Sequence, residues 1–179
     1  MFAFKEWTLI CDALGAGTQS IIIRKGGIAE GRDGFRFKHS EFLLFPTLFH
    51  EQVSKLRLPA STSLPSLRED GAHEIQLLAR VEWTRDLEDW AKVQSLTPFH
   101  LWADAEIEKR FRQDDAPGVS VAFVRIYRLG HSHVFPDSPK YGGCRSWIEV
   151  PDLPEGSVLT PALDDSSHLE RERLLKTSL

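Results

Sequence analysis

The chain is poor in the residues that build covalent or metal-held scaffolds. Of its 179 residues only two are cysteine, Cys11 and Cys144. Their spacing matches neither a zinc knuckle nor a Cys-x-x-Cys redox pair. Stability must therefore come from a packed core, and Cys11 reads as a small buried apolar residue on a helix face. Long hydrophobic runs are also missing. No stretch approaches the roughly 20 apolar residues that a membrane-spanning helix needs. The N-terminal MFAFKEWTLICDALGAG has no basic leader, and Lys5 and Glu6 interrupt its apolar run, which excludes a secretory signal. These absences predict a soluble, cytoplasmic protein. There is no Gly-x-x-x-x-Gly-Lys-Ser/Thr loop and no glycine fingerprint after the first strand, so P-loop and doubly wound dinucleotide folds are excluded. No internal repeat or low-complexity array occurs.

What is present suits one ordinary domain: 41% hydrophobic and 27% charged residues, with a net charge of −4. The charge is uneven. Residues 1–60 carry a net +2, residues 61–120 a net −5 and residues 121–179 a net −1. An overall negative chain does not coat nucleic acid indiscriminately, whereas a local basic patch can still hold phosphate.

Periodicity predicts a helix over 2–14, with Phe4, Trp7, Ile10, Cys11 and Leu14 on one stripe and Gly15 and Gly17 as the stop. Ile21–Ile23 reads as a central strand covered on both faces. Gly26-Gly27 predicts a hairpin turn into a return strand over 28–30, and Asp33-Gly34 a second turn. Residues 35–38 alternate as a half-buried strand should. Phe42–Phe45 is a further strand ended by Pro46, with Thr47 capping a helix that runs to about Leu56. The Pro- and Ser-rich 59–71 reads as exposed loop. Strands are predicted over 74–84, 119–129 and 146–150. Helices are predicted over 87–93, capped by Asp86, over 104–112, and over 166–176. Residues 130–143 and 151–161 read as irregular. The predicted fold is α+β: a mostly antiparallel, strongly curved sheet or open barrel with flanking helices. Residues 1–151 form the expected domain, with 58–72 as its exposed loop. Residues 152–179 form an irregular segment and a charged C-terminal helix, loosely attached or packed on a partner.

Four stretches carry candidate chemistry. Arg24-Lys25 beside Gly26-Gly27, with Lys38 further on, places cations near unhindered backbone that could hold a phosphate or carboxylate; the plainer reading is a solvated hairpin tip. His39 and His50 flank the 42–45 strand and suit acid–base work. With a third ligand from His100, Cys144 or Glu51 they could hold a metal, but their spacing fits no established motif and no metal site is predicted. His131 and His133 share one face if extended. Phe99-His100-Leu101-Trp102, with Arg110 beyond, could stack on and clamp a nucleobase, although such aromatics are usually core. Tyr141-Gly142-Gly143-Cys144-Arg145-Ser146-Trp147 offers a close backbone approach or an exposed thiol, and otherwise a tight turn into a strand.

Taken together, Lys5-Glu6-Trp7, Ile22-Ile23-Arg24-Lys25-Gly26-Gly27-Ile28, His39, Phe45-Pro46-Thr47, His50, His100-Leu101-Trp102, Arg110-Phe111, Arg125-Ile126-Tyr127-Arg128-Leu129 and Tyr141 to Trp147 resemble the bacterial family known as domain of unknown function 1802. The resemblance covers residues 2–151. It implies no established activity and leaves the cofactor unknown. Some members look to be joined to a restriction-endonuclease-like domain, which implies a role near DNA restriction. This chain is short for such a nuclease and shows no Asp…Glu-x-Lys strand pattern of its own, since Glu108-Lys109 and Glu170-Arg171 fall on predicted helices. The resemblance thus favours an accessory recognition module.

The leading expectation is a nucleic-acid- or nucleotide-binding module. Arg24, Lys25 and Lys38 would contact phosphate, and His39, His50, Trp102 and Arg110 would line the pocket; Thr47, His100 and Arg125 complete the ligand-binding set. The first alternative is a hydrolase or transferase using His39 and His50 with Cys144. The second is a protein-interaction module docking through the C-terminal helix.

Overall fold

The structure, a computed structural model, describes residues 1–25, 35–59, 61–66, 68–113 and 116–179. The turns expected at Gly26-Gly27 and Asp33-Gly34 and the return strand over 28–30 lie outside the described residues. Among those described, the chain forms a seven-stranded sheet and four α-helices. The strands are β1 (Phe2–Trp7), β2 (Ile21–Arg24), β3 (Glu41–Thr47), β4 (His73–Leu87), β5 (Val119–Phe135), β6 (Trp147–Glu149) and β7 (Leu159–Pro161). The helices are α1 (Thr8–Gly15), α2 (Trp90–Ser95), α3 (Asp104–Phe111) and α4 (Asp165–Ser178). The sheet is open, in the order β2-β5-β4-β3-β1-β6, with β7 added against β5. β1 runs parallel to β3; the β1–β6, β2–β5, β3–β4, β4–β5 and β5–β7 pairs are antiparallel.

The first predicted helix is half strand. Phe2–Trp7 pairs with β3 on one side and β6 on the other, and the chain turns helical only at Thr8. The apolar spacing that suggests a helix spans this junction. Ala3 and Phe4 are both fully buried although neighbours, which the two faces of a pleated strand allow. They enter two separate apolar clusters, Phe4 with α1, β2 and the helices, Ala3 with Leu43, Phe45, Tyr141 and Ile148.

Other expectations shift for definable reasons. Ile21–Ile23 is fully buried but, among the described residues, lies at the end of the strand order, paired with β5. Phe35–Lys38 alternates more and less exposed positions and enters no strand ladder among the described residues. Thr47 caps no helix; its hydroxyl donates to the Glu6 carbonyl at 3.0 Å, and the chain beyond makes only a 3₁₀ turn at Val53–Lys55. The cap of α2 is Asp89, whose carboxylate accepts from the Ala91 N–H, because Asp86 and Leu87 remain paired in the β4–β5 ladder. β5 continues past Gly130 to Phe135, and the irregular 151–161 segment contributes β7. The terminal helix is not loosely held. Leu175 is fully buried in the core, Arg171 donates to the Gly17 carbonyl, and Trp83 Nε1 donates to Glu172 at 3.0 Å.

Pro46 sits within β3 rather than ending it. β3 pairs with β4 only over Glu41–Leu43, against Arg80–Leu78. Beyond Leu43, β3 stays with β1 through Thr47, while the start of β4, His73–Leu77, stays with β5. Continuing the β3–β4 ladder would require a backbone donor that Pro46 lacks. The sheet therefore forks at Leu43/Leu78.

Gly17 follows α1 with φ +73°, and a Cβ there would come within 2.5 Å of Leu163 Cδ2. Gly71 also has a positive φ, +68°, but faces open space. Alanine at Gly17 is expected to cost roughly 2–4 kcal/mol and alanine at Gly71 about 1 kcal/mol, as read by chemical denaturation. Equal losses would show that the Leu163 contact does not matter.

Candidate functional site

Two polar constellations lie on opposite sides of β1. The even face carries Glu6, which is 1% exposed. Its Oε1 accepts from the Trp7 N–H at 2.8 Å, and its Oε2 lies 3.1 Å from Arg24 Nη2. Arg24 also donates to the Lys5 carbonyl at 2.7 Å and lies over the Phe4 ring. Arg110 stacks on Trp102, 3.4 Å from the ring centroid, and reaches toward Trp7 at 5.6 Å. Burial above all, with Arg24 nearby, pushes the Arg110 guanidinium down to about 10, so it remains charged at neutral pH. Trp102 is fully buried and packs on Trp7, 4.4 Å between rings.

Four residues from the sequence-based set, Arg24, Thr47, Trp102 and Arg110, thus gather around Glu6, which that set omitted. Their charges and rings are committed internally: they tie β1 to β2, β3 and α3. His100 is part of the same support. Its Nδ1 accepts from the Trp102 N–H at 3.1 Å, and Arg57 donates to the carbonyls of Thr97, His100 and Trp102. Burial, reinforced by Arg57 and Arg110, drives the His100 imidazole down to about 3.

The other candidates lie apart. His39 stacks on Phe2 at 3.7 Å and meets Trp147 edge-on. His50 is 85% exposed beside Glu51, and Cys144 is exposed in the loop before β6. No hydrogen bond, ion pair or ring contact joins these three among the described residues. Lys25 donates to the Ala116 carbonyl, Lys38 is exposed, and Arg125 pairs with Asp165 at the start of α4. His133 contacts the Pro151 carbonyl at 3.0 Å. No group of three His, Cys, Asp or Glu side chains is placed to hold a metal among the described residues.

The opposite side of β1 faces a cleft of about 960 Å³. This is the open mouth of the forked sheet. Leu44–Leu48 of β3 and its extension form one wall, and His73, Glu74, Gln76 and Leu77 of β4 form the other. α1 contributes Thr8, Cys11, Asp12 and Gly15, β5 contributes Arg128 and Ser132, and the loop before β4 contributes Arg68. Of the predicted site residues only Thr47 lines it.

Lys5 donates to the Gly143 carbonyl at 3.0 Å, and Arg128 donates to the Gly15 carbonyl at the end of α1. These neutral carbonyls are the hydrogen-bonding partners of both side chains among the described residues, so neither charge is neutralised by an acid. Partial burial is the largest influence lowering the Lys5 ammonium below its ordinary value, followed by Arg145; the Cys144 thiol opposes it. Arg68, in contrast, is occupied by Asp70 at 2.6 Å and Glu74 at 3.1 Å. His73 Nε2 lies 2.6 Å from Asp137, and its hydrogen bond is the main reason the Asp137 carboxyl is held low. The His73 ring leans on buried Phe45 at 4.6 Å and buried Tyr141 at 5.5 Å. Burial raises the Cys11 thiol well above its ordinary range, which makes it inert at neutral pH.

Lys5, Asp12, His73 and Arg128 are the residues that the sequence reading missed as site candidates. Their spacing carries no motif. The available signal was Pro46 inside an apolar strand run, which marks where a ladder must open.

Fold and cleft together define a mixed α/β protein with an open, forked sheet and a polar cleft between its tines. The chain belongs to the family described as Domain of unknown function (DUF1802), whose profile matches residues 3–173 and so reaches into α4. No curated protein matches the chain. Among solved structures, ASCH from Zymomonas mobilis is 9% identical over 69% of this chain and 66% of its own length, with a TM-score of 0.44. A serine-to-alanine variant of that protein gives 9% identity over 97% and 94%, with a TM-score of 0.47. Likeness at this level carries no functional argument. No helix among the described residues is long and apolar enough to cross a membrane.

His100 binds a proton in the unfolded chain near pH 6.5 but in the folded protein only near pH 3. Its folded value is depressed, so the unfolded state holds more protons between these limits and stability falls as pH drops. The expected slope is about 1.4 kcal/mol per pH unit between pH 6 and 4 from this group. His100→Asn, which keeps an acceptor for Trp102, should flatten the pH dependence of denaturation midpoints; an unchanged slope would show that His100 is not the source.

Proposed function

We propose that the cleft binds a nucleotide, either free or as a unit of a nucleic-acid strand. The observation that carries this reading is the pair Lys5 and Arg128: two cations lining the one cleft, each held by a neutral carbonyl and neither paired with an acid. Phosphate is the ligand group that such a pair attracts most strongly. The volume suits a ligand of nucleotide size. His73, braced by Phe45 and Tyr141, offers a partly exposed ring for a base to lie against. The phosphate role assigned from sequence to Arg24 and Lys25 passes to Lys5 and Arg128, because the former side chains are spent on internal partners. An accessory recognition role beside a DNA-restriction nuclease, implied by the family resemblance, is consistent with this binding.

Fluorescence anisotropy with labelled mononucleotides, DNA and RNA across a salt series tests the reading. Lys5→Ala and Arg128→Ala are each expected to weaken binding about tenfold, and each to reduce the salt slope by about one if it contacts one phosphate. Binding that is absent, or insensitive to salt and to both substitutions, would sink the proposal.

A second reading is a hydrolase. It moves the predicted histidine-based chemistry from His39 and His50 to His73, whose Nε2 is held by Asp137 at 2.6 Å beside the cleft. A carboxylate that fixes one ring nitrogen leaves the other free to accept a proton. On this reading His73→Ala lowers turnover of chromogenic esters or phosphoesters by roughly a hundredfold or more. No turnover by the wild-type protein on such substrates would remove it.

A further inference from the structure

The cluster on the Glu6 side of β1 has buried donors left over. Arg110 stacks on Trp102 and reaches toward Trp7, but among the described residues its guanidinium makes no hydrogen bond and no ion pair, and its Nη1 is shut off from solvent. Trp102 is fully buried, and its indole Nε1–H finds no acceptor there. His100 is 3% exposed. Its Nδ1 accepts from the Trp102 N–H, so the neutral ring carries its proton on Nε2, which is also buried and unpartnered. The backbone at His100 is extended (φ −146°, ψ 166°) and Trp102 bridges to Leu56, so these two side chains leave the same side of the segment. Arg110 lies against that side, 3.4 Å from the Trp102 ring centroid. Three N–H donors and one uncompensated positive charge therefore meet around Trp102.

The acids that act on Arg110 are already taken. Glu6 accepts from the Trp7 N–H and pairs with Arg24, and Glu106 pairs with Lys55. Arg24 adds a second cation, which together with burial works against the Arg110 charge. A buried donor without an acceptor is costly, and so is a buried cation without a counter-charge. Water would answer the first cost and not the second.

We infer that a halide ion, ordinarily chloride, binds against Arg110 and completes this cluster. It brings one negative charge and no donors of its own. A sphere accepts hydrogen bonds from any direction, which suits donors carried on three separate planar groups. An oxyanion needs more room and a set orientation, and it is best matched by a guanidinium fork presented edge-on, whereas Arg110 lies flat on an indole. The site lies across β1 from the cleft and does not rest on the nucleotide reading. It makes the tie between β1 and α3 dependent on an anion.

The test is thermal unfolding of the full chain from 0 to 50 mM sodium chloride or bromide, with sodium methanesulfonate holding ionic strength constant. Both halides are expected to raise the midpoint saturably, by roughly 4 °C for a millimolar site. Arg110→Met, which keeps an unbranched stem on Trp102, is expected to lose the response whatever its starting midpoint. Trp102→Phe, which keeps the ring and removes one donor, is expected to need about tenfold more halide for the same shift. In crystals grown with bromide, an anomalous peak beside Arg110 is expected. A midpoint that ignores halide would overturn the inference, as would a response that survives in Arg110→Met. Equal stabilisation by phosphate at the same concentrations would overturn the choice of a halide.

Discussion

The molecule depends on where β3 and β4 stop holding each other. Three residues of each strand pair, and then the ladder ends at Leu43 and Leu78. Had it run on through Leu44–Thr47, the two apolar clusters would lie under an unbroken sheet. Because Pro46 withholds a donor, β3 follows its parallel partner β1 and β4 follows β5. The backbone left unpaired on the two tines is backbone that water or a ligand must satisfy. A cleft at this place is thus a consequence of hydrogen-bond arithmetic as much as of side-chain shape.

Around that fork, burial and charge are separated by strand parity. Glu6 and Lys5 are neighbours in sequence but face opposite sides of β1. The Glu6 side is closed: Arg24, Arg110, Trp7 and Trp102 fill it, and ionic groups there serve cohesion. Such a cluster fixes β1 against α3 at the expense of desolvating two guanidinium groups. The Lys5 side is open, and Lys5 and Arg128 there are left with carbonyl partners. One strand therefore supplies both the structural brace and the wall of the site.

Much of the architecture was legible in the sequence. The Ile21–Ile23 run, the strand from Glu74, the helix from Asp104 and the loop rich in Pro and Ser all follow from local pattern, and the structure has them. The first strand was not legible, because Phe4, Trp7, Ile10, Cys11 and Leu14 keep helical spacing across a strand–helix junction at Trp7. Nor was the end of β5, where Gly130 reads as a break but accepts a close approach from Val158 of the β7 segment. For the candidate site, residue type pointed to other places than the cleft. Conspicuous His, Arg and Trp residues turned out to support the fold, with Arg24, His100, Trp102 and Arg110 packed inside. Asp12 and Arg128 are ordinary charges in sequence, and only the fork gives them a concave setting.

The fork also separates the cleft from any local piece of the chain. Lys5, Arg68 and Arg128 come from strands and loops more than fifty residues apart, brought together by β1, the start of β4 and the middle of β5. Neither tine encloses the space alone. The cleft therefore exists only where these long-range pairings are all closed. Its walls report on completion of the whole fold.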